Sequence, residues 1–332
     1  MASYTIFKLK NLSPLHIGTG KDYYDFSSST LQSDTLASAL AAMRAQRGND
    51  GGIKEFMNSF TISSAFPFVG NRYFLPKPQG KISVVVRNKE EHSYRKKLKA
   101  VRFIEKSLWN DLINGNAITI EDNQIKKEFL ISTANSDDFF EPFTTQVNQR
   151  VTVPREDAKD AEPFFFNWTY FNVNAGLYCI IDAEESVIDE IEELLVMLGE
   201  FGIGTDKSIG GGKFDIERTQ ADIVSDAAQP NALVLLSLYI PTEDEVSVLN
   251  LTESKYDLVK RSGFMAGSEF NEFKHLRRKS IYMFNVGSLF CTTEKLHGKI
   301  VDLRPDWNDD KMHPVYRSGK PFVVPVKLRE NE

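Results

Sequence analysis

The sequence predicts an α+β fold in two parts, residues 1–222 and 231–332. Three observations carry this. In the first part, alternating and helical apolar patterns follow one another as strand, helix, strands, helix, strand. A polar link, DIVSDAAQPN (222–231), then leads into a part rich in short apolar runs with little helical periodicity. The length, 332 residues, suits two domains at roughly 100–200 residues each.

Each element has a local cause. Residues 3–13 (Tyr4, Ile6, Leu9, Leu12) form a strand that ends at Pro14. A glycine-marked loop, HIGTGKDYYDFSSST, leads to a helix that Ser33 or Asp34 starts as N-cap, with Leu36, Ala39, Leu40 and Met43 on one side. Asp50-Gly51-Gly52 breaks it before a short helix through Phe56 and Phe60. SSAFPFVGNRYFLPKP reads as two extended pieces around a turn at Gly70-Asn71. Over 94–113, the stripe Leu98, Val101, Ile104, Leu108 and Leu112 predicts one helix with a basic outer face. Strand-like pieces follow at 117–120, 125–131 and 145–153, with NSDDFFEP and PREDAKDAEP (154–163) as loops. Residues 164–182 alternate as two strands around Asn174-Ala175-Gly176. A helix at about 186–201 buries Val187, Ile188, Ile191, Leu194, Leu195 and Leu198; GIGTDKSIGGGKF and a strand through Phe214 and Ile216 come next. The second part opens with ALVLLSLYIP and places short strands near 256–262, 280–286, 299–303 and 322–328. The first part thus has the βαββαβ order of a ferredoxin-like or RNA-recognition fold, and the second reads as a degenerate copy.

Composition excludes several classes. Hydrophobic residues are 41% and charged residues 26%, which is globular rather than disordered. With no run of about 18 apolar residues, no transmembrane helix is expected. The N-terminus, MASYTIFKLKNLSPLHIG, enters a strand pattern without the apolar core of a signal peptide. Cys179 and Cys291 are too few for a disulfide scaffold or a cysteine zinc site, so the expected location is the cytoplasm. Histidines 92, 275, 297 and 313 lack ligand spacing, and neither metal nor cofactor is expected.

A net charge of −6 argues against nonspecific coating of nucleic acid, but the charge is uneven. Residues 182–200 hold eight acids and no base, 81–106 hold nine bases against three acids, and 260–332 hold 14 bases against nine acids. One acidic face and two basic regions fit either a protein that holds a polyanion on one side or solvated helix faces. The acidic helix is expected to offer its carboxylates to water or to a protein partner.

The strongest motif is the cluster Gly202, Gly204, Gly210, Gly211 and Gly212 between a helix and a strand, with Lys207 and Lys213 beside it. Such glycines let backbone N–H groups approach a phosphate, a reading we adopt over a helix-terminating turn, which would need Gly202 alone. It matches neither a Walker A loop nor a dinucleotide fingerprint. His16, at the exit of the first strand, is either a general base or a hydrogen-bonding and stacking residue. Asp34 is expected as a helix cap, its alternative being an acid in an RNA-cleaving loop. Phe164-Phe165-Phe166, Trp168 and Tyr170 alternate like a strand and are expected in the core. No nucleophile elbow or paired catalytic carboxylates occur, so no enzyme is expected.

These motifs together resemble a known group. The glycine-rich loop after the last helix and LHIGTG (15–20) look like the RAMP superfamily of CRISPR proteins. SSSTLQSDTLASAL (27–40), SSAFPFVGNRYFLPKP (63–78), FGIGTDKSIGGGKF (201–214), KRSGF (260–264) and GKIVDLRP (298–305) resemble, in order, the fourth subunit of type III-A (Csm) effector complexes. The resemblance implies a non-catalytic subunit of two ferredoxin-like domains with a thumb hairpin. Such a subunit would grip the repeat-derived 5′ handle of CRISPR RNA and dock the large polymerase-type (Palm-domain) subunit and a backbone RAMP subunit. Carried over by position, it puts His16, Gly18 and Lys21 in a loop facing the RNA, Lys207, Gly210, Gly211 and Gly212 against its phosphates, and Arg261, Ser262 and Gly263 in the second domain's contact. TTQVNQRVTVPRE (144–156) resembles the thumb, with Gln146, Asn148 and Arg150 as its contacts. Asp22 and Asp25 fall where backbone RAMP subunits carry a cleaving aspartate, but plain loop solvation is expected here. The alternative function is a RAMP endoribonuclease that processes precursor CRISPR RNA with His16 as general base.

Overall fold

The computed structural model describes residues 4–18, 26–28, 30–132, 139–153, 160–225, 227–265, 270, 273, 276–305 and 312–328. It is a mixed α+β structure. The chain begins β1 (Tyr4–Lys10), α1 (Ser33–Gln46), α2 (Ile53–Asn58), β2 (Phe60–Ile62), β3 (Phe66–Val69) and β4 (Arg72–Pro76). β5 (Val84–Val86), α3 (Glu91–Ala100), β6 (Phe103–Glu105), α4 (Lys106–Ile113), β7 (Ile118–Ile120), β8 (Ile125–Lys126) and β9 (Phe129–Leu130) follow. Then come β10 (Phe143–Thr152), β11 (Glu162–Phe171), β12 (Ala175–Ala183), α5 (Glu185–Phe201) and β13 (Asp215–Ala221). The rest holds β14 (Ala232–Leu235), α6 (Glu243–Val248), β15 (Leu258–Arg261), β16 (Ile281–Phe284), β17 (Leu289–Phe290), β18 (Ile300–Asp302), β19 (Tyr316–Ser318) and β20 (Val323–Val326).

The main sheet runs β13-β1-β12-β3-β4-β6-β9-β8, with β2 also on β12. β1 lies antiparallel between β13 and β12, in register Ile6↔Ile180 and Phe7↔Cys179. Successive strand residues point to opposite faces, and both faces are covered. Phe7, Leu9, Leu177 and Cys179 pack beneath α1 and α5, against Leu36, Leu40, Ile191, Leu194 and Leu198. Ile6, Tyr178 and Ile180 pack on the other face with Trp109 of α4 and with Ala232, Val234, Phe322, Val324 and Val326 of the second half. This is why the central strands read as nearly continuous apolar runs.

The two halves therefore share a core. Ile223 and Val224, inside the polar link, are buried in it, and the Ser225 N–H donates to Asn110 Oδ1 at 2.9 Å. Further ties cross the seam: Ser64 N–H donates to the Leu236 carbonyl at 2.8 Å, Leu238 N–H to Ser33 Oγ at 2.8 Å, and Lys320 Nζ to the Phe60 carbonyl at 2.9 Å. The second half forms small sheets: β17-β14-β20, β15-β16 and β18-β19. Within the core, the Tyr178 hydroxyl donates to the Phe74 carbonyl at 2.9 Å, both residues fully buried. Tyr178→Phe leaves that carbonyl without its donor, and an expected loss of about 1–3 kcal/mol should appear in urea denaturation.

Several expectations are corrected. The stripe over 94–113 is not one helix but α3, β6 and α4. Val101, Phe103, Ile104 and Glu105 are all buried and only Arg102 between them is exposed, which leaves too little for the solvent face of a helix. β6 instead pairs with β4 (Leu75↔Ile104) and with β9. The short helix ends at Asn58, and Phe60 begins β2. Asp34 is not a cap: Gln32 occupies that position without a side-chain cap bond, and Asp34 is fully buried. The acidic helix α5 does not offer a bare carboxylate face. Glu190 pairs with Arg44 at 2.9 Å, Glu193 with Arg47 at 2.6 Å, and Glu185, Asp189 and Glu192 all with Arg218. In the basic stretch, Arg87 pairs with Glu121, and Lys89 and Lys97 pair with Asp122, each at 2.8 Å. No helix among the described residues is long and apolar enough to cross a membrane.

Candidate nucleic-acid interface

Three predicted segments meet at one place: the exit loop of β1, the hairpin β10–β11, and the glycine loop between α5 and β13. Ser13 N–H donates to the Lys213 carbonyl at 2.9 Å, and Ser13 Oγ donates to the Gly210 carbonyl at 2.8 Å. Gly212 N–H donates to the Pro14 carbonyl at 3.0 Å, and Thr205 N–H to the His16 carbonyl at 3.1 Å. Leu15 and Thr169 exchange both backbone bonds, at 2.9 and 2.8 Å, which ties the loop to the outer edge of β11.

The glycines serve packing rather than an open anion cradle. Gly210 N–H donates to Lys207, Gly211 N–H to Asp206 and Gly212 N–H to Pro14, so all three amides are used inside the chain. At Gly212 (φ 69°) an added Cβ would stand 1.8 Å from the Ile203 carbonyl oxygen. Gly211 and Gly212 are buried, and Gly210 (φ 90°) is half-buried with open space where its Cβ would be. The expected phosphate-facing amides are corrected on this ground. What the loop does present is side chains: Lys207, Ser208, Ile209 and Lys213 are exposed.

His16 is corrected too. Its side chain does not face solvent; it is 1% exposed. Its Nδ1 lies 2.7 Å from the Asn167 carbonyl, which can only accept, so Nδ1 carries the proton. The ring packs on Phe166 with centroids 4.4 Å apart. Burial pushes its pKa down against the opposing pull of the Asn167 carbonyl and Asp206, and the ring is neutral at pH 7. Of the two sequence readings, hydrogen bonding and stacking is the one this geometry fits. Gly18 is exposed; Lys21, Asp22 and Asp25 lie outside the described residues.

The hairpin pairs ten residues on ten, with Gln146↔Trp168, Asn148↔Phe166 and Arg150↔Phe164 on one face. Gln146 is exposed and Asn148 half-buried. Arg150 is anchored: its guanidinium sits 4.3 Å over Phe166 and 5.4 Å over Trp168 and forms an ion pair with Asp206 of the glycine loop. Phe166 and Trp168 are buried as expected, but Phe165 on the opposite face is exposed, together with Val147 and Val151.

Arg261, Ser262 and Gly263 do not join this convergence. Arg261 donates from Nε and Nη2 to the two Asp34 carboxylate oxygens, both at 2.9 Å, and from Nη2 to Thr35 Oγ1 at 2.8 Å. It is a half-buried clamp between the halves, its guanidinium held by Asp34 and Thr35 rather than left as an open contact, and this departs from its expected role. Ser262 and Gly263 are half-buried beside Arg278, whose Nη2 donates to the Ser262 carbonyl at 2.7 Å. The sequence reading misses Asp206, Ser13 and Arg278; the basic run Arg277-Arg278-Lys279 is the one signal by which the last of them could be found.

The sheet, hairpin and glycine loop define the class. A family model of the RAMP superfamily matches residues 8–215, and the chain belongs to that superfamily. Residues 228–326 match the model of the CRISPR Csm4 C-terminal domain. Relatives called CRISPR system Cms protein Csm4 include one from Streptococcus thermophilus, 28% identical over 324 residues, covering 94% of this chain and 96% of the relative. Another, from Mycobacterium tuberculosis, is 26% identical over 307 residues, covering 91% and 92%. The fold is shared with a chain of the Csm1-Csm4 cassette in complex with cA4 (TM-score 0.64, 18% identity, 99% and 100% coverage). It is also shared with a chain of the Csm3-Csm4 subcomplex in the type III-A CRISPR-Cas interference complex (TM-score 0.63, 17% identity, 98% and 100%).

Proposed function

We propose that this chain is a non-catalytic subunit of a type III-A CRISPR interference complex that holds the repeat-derived 5′ handle of CRISPR RNA. The observation that carries this is the convergence at one surface of the β1 exit loop, the hairpin and the glycine loop, which presents Gly18, Gln146, Lys207 and Lys213 to solvent. Polar side chains beside a lysine-bearing loop suit a single strand held by its backbone. The order β13-β1-β12-β3, with α1 and α5 on one face, supports a ferredoxin-like first domain with the hairpin as its thumb. The similar structures, one a Csm1-Csm4 cassette and the other a Csm3-Csm4 subcomplex, support docking to a large polymerase-type subunit and to a backbone subunit. The buried, neutral His16 weighs against an endoribonuclease that would need it as a surface general base.

Fluorescence anisotropy with the purified full chain tests this. RNA carrying the repeat-derived 5′ end should bind at least tenfold tighter than a scrambled RNA and be recovered uncut in metal-free buffer. Lys207→Ala should weaken binding several-fold and lower the log–log salt slope by about one. Equal affinity for both RNAs, or metal-free cleavage of the repeat, would sink the reading.

A further inference from the structure

Around Asp34 the described residues gather three guanidiniums, those of Arg261, Arg317 and Arg278. Arg261 takes both carboxylate oxygens. Arg317 of β19 donates from Nη1 to the Asp34 carbonyl at 3.2 Å and to its carboxylate at 3.5 Å, while its Nε is buried without a hydrogen-bond partner. Arg278 is 5% exposed. One of its guanidinium nitrogens reaches the Ser262 carbonyl; Nε and Nη1 are buried and have no partner. Three guanidiniums thus surround one carboxylate at the first turn of α1, the positive end of that helix. Among the described residues Asp34 is the carboxylate paired with this cluster, and three buried donor nitrogens of Arg278 and Arg317 are unused. A buried donor without an acceptor is costly, and a charged one more so. Burial and the neighbouring Arg317 charge push the Arg278 pKa down to about 10, against the pull of Asp34, so the group still carries its charge at neutral pH.

The surroundings indicate what supplies the missing acceptors. Paired guanidinium forks match the oxygens of a phosphate. The seam reaches the surface through half-buried Ser262 and Gly263 and then Phe264, which is exposed and carries the Arg277 guanidinium 4.8 Å over its ring. An exposed aromatic stacked on arginine next to buried phosphate-type donors is a platform for a nucleotide rather than for a lone ion.

We infer that Arg278 and Arg317 form a phosphate subsite at the seam of the two halves, which takes one phosphodiester of the bound RNA strand, with Asp34 and Arg261 as the frame that positions them. The inference rests on the RNA-holding reading above. It also locates the second half's contribution in arginines other than Arg261.

The test is a linkage scan with the full chain. RNA of the repeat-derived 5′ sequence is made with single linkages replaced in turn by neutral methylphosphonates, and the affinity of each is measured. In the wild type, one linkage should lose about tenfold. In Arg278→Gln, overall binding should fall about tenfold, and that same linkage should become insensitive. Arg278→Lys, which keeps the charge, should recover part of the affinity and secures the test if Arg278→Gln fails to fold. Variants that bind like the wild type overturn the inference, as does weaker binding with an unchanged linkage profile, which would mark a structural clamp. Inorganic phosphate that raises the melting temperature of the wild type but not of Arg278→Gln, with RNA binding unaffected by the substitution, would assign the site to free phosphate and overturn the RNA assignment. A wild type that binds no RNA overturns the proposed function and this inference with it; normal wild-type binding with an unchanged Arg278→Gln overturns this inference alone.

Discussion

Gly212→Ala is expected to cost about 3 kcal/mol or more of folding stability, while Gly210→Ala, two positions away, costs about 1–2 kcal/mol. Both glycines have positive φ, 69° and 90°, so both substitutions carry the left-handed penalty. They differ in what surrounds them. A Cβ on Gly212 meets the Ile203 carbonyl oxygen at 1.8 Å, with the Ile203 carbonyl carbon and nitrogen close behind, whereas a Cβ on Gly210 meets nothing within 4 Å. Relief at Gly212 requires the loop to move, and the bonds Ile203 N–H to Gly212 and Gly212 N–H to Pro14 then break, each worth about 0.5–1.5 kcal/mol. Urea denaturation of the two variants beside the wild type measures the difference. Equal costs, or a larger cost at Gly210, would show that the loop is not packed as described. Because the glycine amides are used internally, Gly210→Ala should leave RNA affinity within about twofold of the wild type; a drop beyond tenfold would return the loop to an amide cradle.

Asp34→Ala is expected to cost about 3 kcal/mol, because it removes a fully buried carboxylate and strands the half-buried Arg261 and Arg317 charges without it. Burial by itself would raise the Asp34 pKa; the charges of Arg261 and Arg317 outweigh it and hold the carboxyl below its usual range. The sign for pH follows. A carboxylate whose folded pKa is depressed stabilises the fold above its unfolded value of about 3.9 and loses that contribution as pH falls through the folded value. Wild-type stability should therefore decline below about pH 4, and Asp34→Asn, already weaker at pH 7, should show a shallower decline over the same range. Parallel acid limbs for the two proteins would refute this account. The two halves share one core, so both variants should unfold them together in a single transition.

Much of the fold was legible in the sequence because its causes are local. The apolar stripe of Ile188, Ile191, Leu194 and Leu198 recurs at helical spacing, and α5 follows it. Gly70-Asn71 marks a turn, and β3 and β4 flank it. The alternation through 164–182 yields β11 and β12. Where reading failed locally, the spacing was degenerate. Val101, Ile104 and Leu108 fit a helix, but they also fit a strand followed by a helix, and only the pairing of β6 with β4 and β9 decides between them.

The candidate site was legible in its segments and not in their use. The β1 exit loop, the hairpin and the glycine loop could each be located, since glycines, alternation and turn residues are visible one segment at a time. The partners of their polar groups could not. Asp34 looked like a helix cap, yet its carboxylate is held by an arginine 227 residues away. The amide of Gly212 is satisfied by Pro14, five acids of α5 (Glu185, Asp189, Glu190, Glu192 and Glu193) by Arg44, Arg47 and Arg218, and the imidazole of His16 by Asn167. By itself the sequence determined the segments with one unambiguous period, such as α5, the β3–β4 turn, the strands through 164–182 and the glycine loop, because those depend on neighbours within a few residues. Only the tertiary structure decided which charges are neutralised and which donors remain unused, because a buried polar group is governed by whatever the folded chain places within about 3 Å of it.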